Sequence, residues 1–125
     1  MKDPSNPVCR TISTLLSRIG DKWTVLVVQT LSDGPRRFNE LRREIPSVSQ
    51  RMLTLTLRNL ERDGLVSRTV TPTIPPRVDY ELTALGQSLR DPVNALAQWA
   101  LNHVEDIHGA QKRFDAETDA RAEAA

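Results

Sequence analysis

A mainly α-helical fold with one small β-hairpin, in the order α-α-α-α-β-β-α, is predicted by three features of the sequence. Apolar residues recur at helical spacing in four successive segments before Gly64; they alternate with period two between Val66 and Leu82; beyond Pro92 the helical spacing returns. With 125 residues, 38% hydrophobic and 26% charged, the chain has the balance of a soluble globular protein and the length for one core. A single domain is expected over residues 1–108, with a flexible tail over 109–125.

Ile12, Leu15, Leu16 and Ile19 share one helix face, and Gly20 follows where a left-handed cap would end it. Asn6 can cap this first helix, with Pro7 at its first position. Asp21 can cap a second helix that carries Trp23, Leu26, Val27, Thr30 and Leu31 as its buried stripe and breaks at Ser32-Asp33-Gly34-Pro35. Phe38, Leu41 and Ile45 make a third helix of about two turns, ended by Pro46. Ser49 is placed to cap a fourth helix running to Asp63 and closed by Gly64.

Val66, Arg68 and Val70 then alternate with Ser67 and Thr69, and Val78, Tyr80 and Leu82 with Asp79 and Glu81, as two strands of a hairpin. Their connection, Thr71 to Arg77, holds three prolines and is too long for a two-residue turn, so a stiff projecting loop is expected. Thr83 can cap a further helix. Beyond Pro92, Val93, Leu96, Ala97, Ala100, Val104 and Ile107 form one long stripe, and from Gly109 no apolar repeat remains, which predicts a frayed end.

Composition excludes several classes. The longest apolar run, Val25 to Val28, is four residues where a membrane span needs roughly 20, and the polar start is no signal peptide, so a cytoplasmic protein without a membrane partner is expected. A single cysteine, Cys9, excludes an internal disulfide. His103 and His108 are five apart and face different directions, which argues against a metal site on one helix; surface positions are expected for both. No phosphate loop, nucleophile elbow or His-Glu metal motif occurs, so neither an enzyme nor a cofactor is expected. Trp23, Phe38 and Tyr80 fall on apolar faces, leaving no stacking platform for single strands.

The net charge of +1 hides a division. Residues 34–78 hold nine arginines against four acids, whereas residues 79–125 hold four basic side chains against nine acidic ones. The arginine-rich stretch suits a polyanion or is a solvated face; composition leaves both open. The fourth helix decides between them. Leu53, Leu57 and Leu60 point to the core, while Arg51, Thr54, Leu55, Arg58 and Arg62 fall on the opposite side with no acid among them. A major groove accepts such a helix, and Ser49, Gln50, Arg51, Thr54 and Arg58 suit base edges and phosphates. A two-turn helix, a short turn and this longer helix make a helix-turn-helix, with the hairpin as its wing. Arg36, Arg37 and Arg77 are expected to touch phosphates.

The sequence resembles the HxlR-type transcriptional regulators of the winged helix-turn-helix class. The matching runs are Ile19-Gly20-Asp21-Lys22-Trp23-Thr24, Gly34-Pro35-Arg36-Arg37-Phe38-Asn39-Glu40-Leu41, Ser49-Gln50-Arg51-Met52-Leu53-Thr54, Leu60-Glu61-Arg62-Asp63-Gly64-Leu65-Val66 and Pro75-Pro76-Arg77-Val78-Asp79-Tyr80-Glu81-Leu82-Thr83. Each is weak alone; in this order and spacing, over residues 9 to about 107, they are specific. The resemblance implies a homodimer on a roughly palindromic duplex operator, with the fourth helix reading bases and Pro75-Pro76-Arg77 as the wing tip.

It also implies that the terminal helices make the dimer. The residues placed there are Ile12 and Leu16 from the first helix and Val93, Leu96, Ala100, Val104 and Ile107 from the last, whose apolar stripe is more than a small monomer easily covers.

Many members sense electrophiles or oxidants through an N-terminal cysteine at about the position of Cys9, although Arg10 stands where those members often have proline. Cys9 would occupy the third helical position, where the helix dipole and Arg10 favour a thiolate; an inert filler is the alternative. A helical dimeric adaptor that binds an acidic protein without recognising DNA is the competing function.

Overall fold

The protein is described here from a computed structural model, over residues 6–124; the polar start read above lies outside that range. The elements are α1 (Pro7–Ile19), α2 (Lys22–Leu31), α3 (Phe38–Glu44), α4 (Gln50–Arg62), β1 (Val66–Thr71), β2 (Arg77–Leu82), α5 (Ala84–Ser88) and α6 (Arg90–Ala124). The final helical region is therefore two helices rather than one, parted at Leu89. Among the described residues, those up to Val93 form one compact unit, and those from Asn94 onward form a second.

Local chemistry accounts for the boundaries. The Asn6 side chain accepts from the Val8 N–H at 2.9 Å, ahead of Pro7. Asp21 accepts from the Trp23 and Thr24 amides, and Ser49 from that of Met52 at 3.0 Å. Glu40 reaches back to the Arg37 N–H at 3.0 Å, closing the start of α3. Gly64 is left-handed, with φ +76°, and ends α4 as expected. Gly20 is not: its φ is −75°, because its amide bonds back to Leu16 and Arg18 in a right-handed turn and Asp21 starts α2 at once.

The core is built around α2, which packs on α1, α3, α4 and β2. Val27, Val28 and Leu31 meet Leu41 and Ile45 of α3, Leu53, Leu57 and Leu60 of α4, Val66, Leu82 and Val93 in one buried cluster. With neighbours on so many sides, the buried arc of α2 is wider than one stripe. Thr24 and Val28 are buried, whereas Trp23, Leu26 and Thr30 are only half-buried.

The hairpin is antiparallel, with Val66 opposite Leu82 and Arg68 opposite Tyr80. A third short rung was not foreseen: Arg36 exchanges both backbone hydrogen bonds with Tyr80, at 3.0 and 2.8 Å. It ties the link before α3 to the wing. Thr83 joins the end of α4 to α5, since its hydroxyl donates to the Gly64 carbonyl at 2.6 Å and accepts from the Gly86 N–H at 3.1 Å.

Two expectations about the last helix are corrected. Val93 is 2% exposed and belongs to the core, because the first turn of α6 docks it there, so it is no candidate for a dimer surface. The chain past Gly109 is helical to Ala124 rather than frayed, since alanine, glutamate, lysine and arginine continue a helix without an apolar stripe. Within the second unit Trp99 stacks on His103 at 4.6 Å, and the His103 Nδ1–H donates to the Trp99 carbonyl at 2.7 Å. His103 is half-buried rather than at the surface; His108 is exposed.

Two glycines test this packing by different mechanisms. A Cβ on Gly86 would lie 2.0 Å from the Leu65 carbonyl oxygen, so Gly86→Ala is expected to cost roughly 2 kcal/mol or more in urea denaturation. Gly64 faces open space and only its positive φ resists a side chain, so Gly64→Ala is expected to cost about 1 kcal/mol.

Candidate nucleic-acid interface

The segment α3-turn-α4 is held from beneath. Ile45 and Val48 are buried on either side of Pro46 and Ser47, and Ser47 is left-handed with φ 70°. That turn sets the direction in which α4 leaves α3. Because Leu53, Leu57 and Leu60 are buried, the far side of α4 faces solvent: Gln50, Arg51, Leu55, Arg58 and Arg62 are exposed and Thr54 is half-buried. Among the described residues none of Arg51, Arg58 and Arg62 is in an ion pair. Gln50, Arg51, Thr54, Leu55 and Arg58 together line one shallow groove along the helix.

A second concavity lies between α4 and the wing, where Gln50, Thr54 and Arg58 face Arg68 and Tyr80. Glu61 also lines it, one turn from Arg58. The stripe itself carries no acid, but its edge does.

The other predicted cations are placed differently. Arg37 is exposed at the start of α3. The half-buried Arg36 guanidinium is occupied by intramolecular partners: its Nε is 2.9 Å from Glu44, and it donates to the carbonyls of Gly34 and Pro35. Arg77 is exposed at the base of the wing loop and pairs with Asp79 at 3.0 Å. Ser49 lends its oxygen to the cap of α4, leaving the hydroxyl hydrogen available.

Sequence reading missed Arg68, Arg42 and Arg43. Arg68 sits opposite Tyr80 on the wing face turned to α4, a placement that requires the hairpin register. Arg42 and Arg43 border a hollow at the turn with Asn39 and Ser47. Their signal was the doublet of arginines in the last turn of a two-turn helix. Among the described residues no group of three or more His, Cys, Asp or Glu is placed to hold a metal, and no helix is long and apolar enough to cross a membrane.

The profile of the HxlR-like helix-turn-helix family matches residues 18–108. The chain belongs to this family. An HTH-type transcriptional regulator of Methanothermobacter thermautotrophicus, itself uncharacterised, is 48% identical over 89 residues, which are 71% of this chain and 68% of the relative. The redox regulator HypR in its reduced form is 40% identical, with a TM-score of 0.73 over 79% of this chain and 98% of that one. The reduced form of the Bacillus subtilis transcriptional regulator YodB is 35% identical, with a TM-score of 0.65 over 80% of this chain and 92% of that one. The HxlR-like relatives are thus HTH-type transcriptional regulators, and the winged arrangement of α3, α4 and the hairpin is the fold they share.

Proposed function

We propose that the protein is a homodimeric regulator of transcription that binds a roughly palindromic duplex operator, reading bases with α4. The observation that carries this reading is the row Arg51, Arg58 and Arg62, exposed and outside any ion pair among the described residues, on the helix that follows the turn. Like charges at this spacing repel, and a partner that supplies acceptors relieves the repulsion. Ser49, Gln50 and Thr54 add neutral donors and acceptors for base edges. Arg37, Arg77, Arg68 of the wing and Arg42 of α3 are assigned to phosphates, whereas Arg36 is left chiefly with its intramolecular partners.

Arg51→Ala and Arg58→Ala are expected to weaken cognate binding by about 1–3 kcal/mol and to relax its specificity, while Arg77→Ala weakens cognate and random duplexes alike. Titrations at two salt concentrations separate this reading from an adaptor for an acidic protein. A DNA reader shows a steep salt slope on duplex; an adaptor shows little binding and no such slope.

The dimer is supported by apolar surface left uncovered. In α1, Leu16 is 60% exposed and Ile12 half-buried; in α6, Leu96 is 56%, Val104 42% and Ile107 40% exposed, with Ala100 also exposed. Pairing two copies would bury both stripes. Sedimentation at micromolar concentration is expected to give a dimer for the wild type and a folded monomer for Leu96→Asp with Val104→Asp; a wild-type monomer contradicts the assignment.

Regulation through Cys9 is proposed on two grounds. Cys9 is half-buried at the third position of α1, and HypR, which resembles this chain, is described as a redox regulator. Two thiols, one from each subunit, would give two electrons and two protons to an oxidant such as diamide and form an intersubunit disulfide; an electrophile would form an adduct instead. Diamide is expected to release the wild type from its operator and to leave Cys9→Ser bound. Equal release of both proteins is the contrary result.

A further inference from the structure

Three helical threonines, Thr11, Thr14 and Thr30, donate their hydroxyls to the carbonyl four residues back, at 3.0, 2.9 and 2.8 Å. Thr24 and Thr56 do not. They are only 3% and 5% exposed, yet among the described residues neither hydroxyl bonds to the protein. No buried side-chain polar atom there is sealed off without a partner, so both oxygens retain access to open space. That space is a cleft of about 290 Å³ between α1, α2 and α4, which both residues line.

We infer that this cleft binds a small uncharged molecule that has one hydrogen-bonding oxygen and a compact apolar body. A hydroxyl both donates and accepts, so two hydroxyls that open on one cleft without a partner in the protein each offer a bond to a ligand oxygen in place of water. Asn59 adds an amide, while Met52 and Leu55 supply an apolar wall. The charged groups at the rim already have partners. Arg18 is paired with Asp63, and the Asp21 carboxylate accepts the first amides of α2. An anion finds no unpaired guanidinium there, and a cation finds only a carboxylate already engaged by two amides at the positive end of α2, which favours a neutral ligand. The volume lies at the small end of ligand sites and suits a single ring.

Leu55 belongs both to this cleft and to the outer groove of α4 beside Arg51 and Arg58. An occupant therefore presses on a side chain of the DNA-facing helix, and changes duplex affinity. This regulatory consequence rests on the DNA-binding reading proposed above; the binding itself does not.

The test titrates the full chain, without DNA, with benzamide as the neutral probe and with benzoate and benzamidinium as charged counterparts, following the methyl signals of Thr24, Thr56, Met52 and Leu55. Saturable benzamide shifts at these methyls are expected, with weaker binding of both ions. Thr56→Val is expected to lower benzamide affinity about threefold to tenfold, and Thr56→Ser to preserve it. The Tm of Thr56→Val should hold or rise, because a hydroxyl with no bond to the protein is replaced by a methyl of the same shape.

A drop in Tm would mark the hydroxyl as structural and overturn the proposal. So would shifts elsewhere, no saturation, stronger binding of an ion, or equal affinity for Thr56→Val; Thr24→Val repeats the comparison at the second hydroxyl. A cleft that binds benzamide while duplex affinity is unchanged overturns the regulatory consequence alone. Loss of duplex binding in the ligand-free wild type overturns the DNA reading and leaves the cleft standing.

Discussion

Burying Leu53, Leu57 and Leu60 against α2 and the base of the hairpin determines which way every other side chain of α4 faces. A helix turns 100° per residue, so once three leucines at intervals of four and three are committed to the core, Arg51, Arg58 and Arg62 have no direction left but outward. The apolar contact is non-directional and gains from area; the cationic face inherits its placement from it. Removing the leucines would therefore disperse the arginines without touching one of them. The turn at Ser47 and Val48 adds the second half of the constraint by setting the tilt of α4 relative to α3.

The same division of labour recurs in the wing. The backbone rung between Arg36 and Tyr80 links the segment before α3 to β2, and the register places Arg68 beside Tyr80 on the side of the wing facing α4. Arg36 thus serves the scaffold twice, through its backbone to Tyr80 and through its guanidinium to Glu44. An arginine in a basic segment is not automatically a contact for phosphate: Arg36 is half-buried among Glu44 and two carbonyls, whereas Arg77, although paired with Asp79, stays exposed, and that difference depends on packing.

Much of this was legible in the chain because it is local. Caps at Asn6, Asp21, Ser49 and Thr83, the stop at Gly64 and the change of period after it each depend on residues within a turn or two, and each lies where the spacing predicts. The winged helix-turn-helix and the outward arginines follow from them. What could not be read depends on neighbours distant in sequence. Val28 is buried because α2 has partners on several sides; Val93 looks identical to the other members of its stripe until the first turn of α6 meets the core. The placement of Arg68 waits on strand register. The helix past Gly109 was missed for another reason: a search for apolar period detects helices that pack, not helices whose exposed residues merely favour the conformation.

The correction at Val93 changes what α6 can be. Its first turn belongs to the core that positions α4, because Val93 is 2% exposed there. Leu96, Val104 and Ile107 lie on the same helix beyond Asn94 and are exposed, so the stripe that reads as continuous in the sequence is divided between two tasks. Its first residue adds buried apolar area to the folded unit that carries α4; the others leave apolar area that a second copy would cover, and a two-fold operator asks for a second copy.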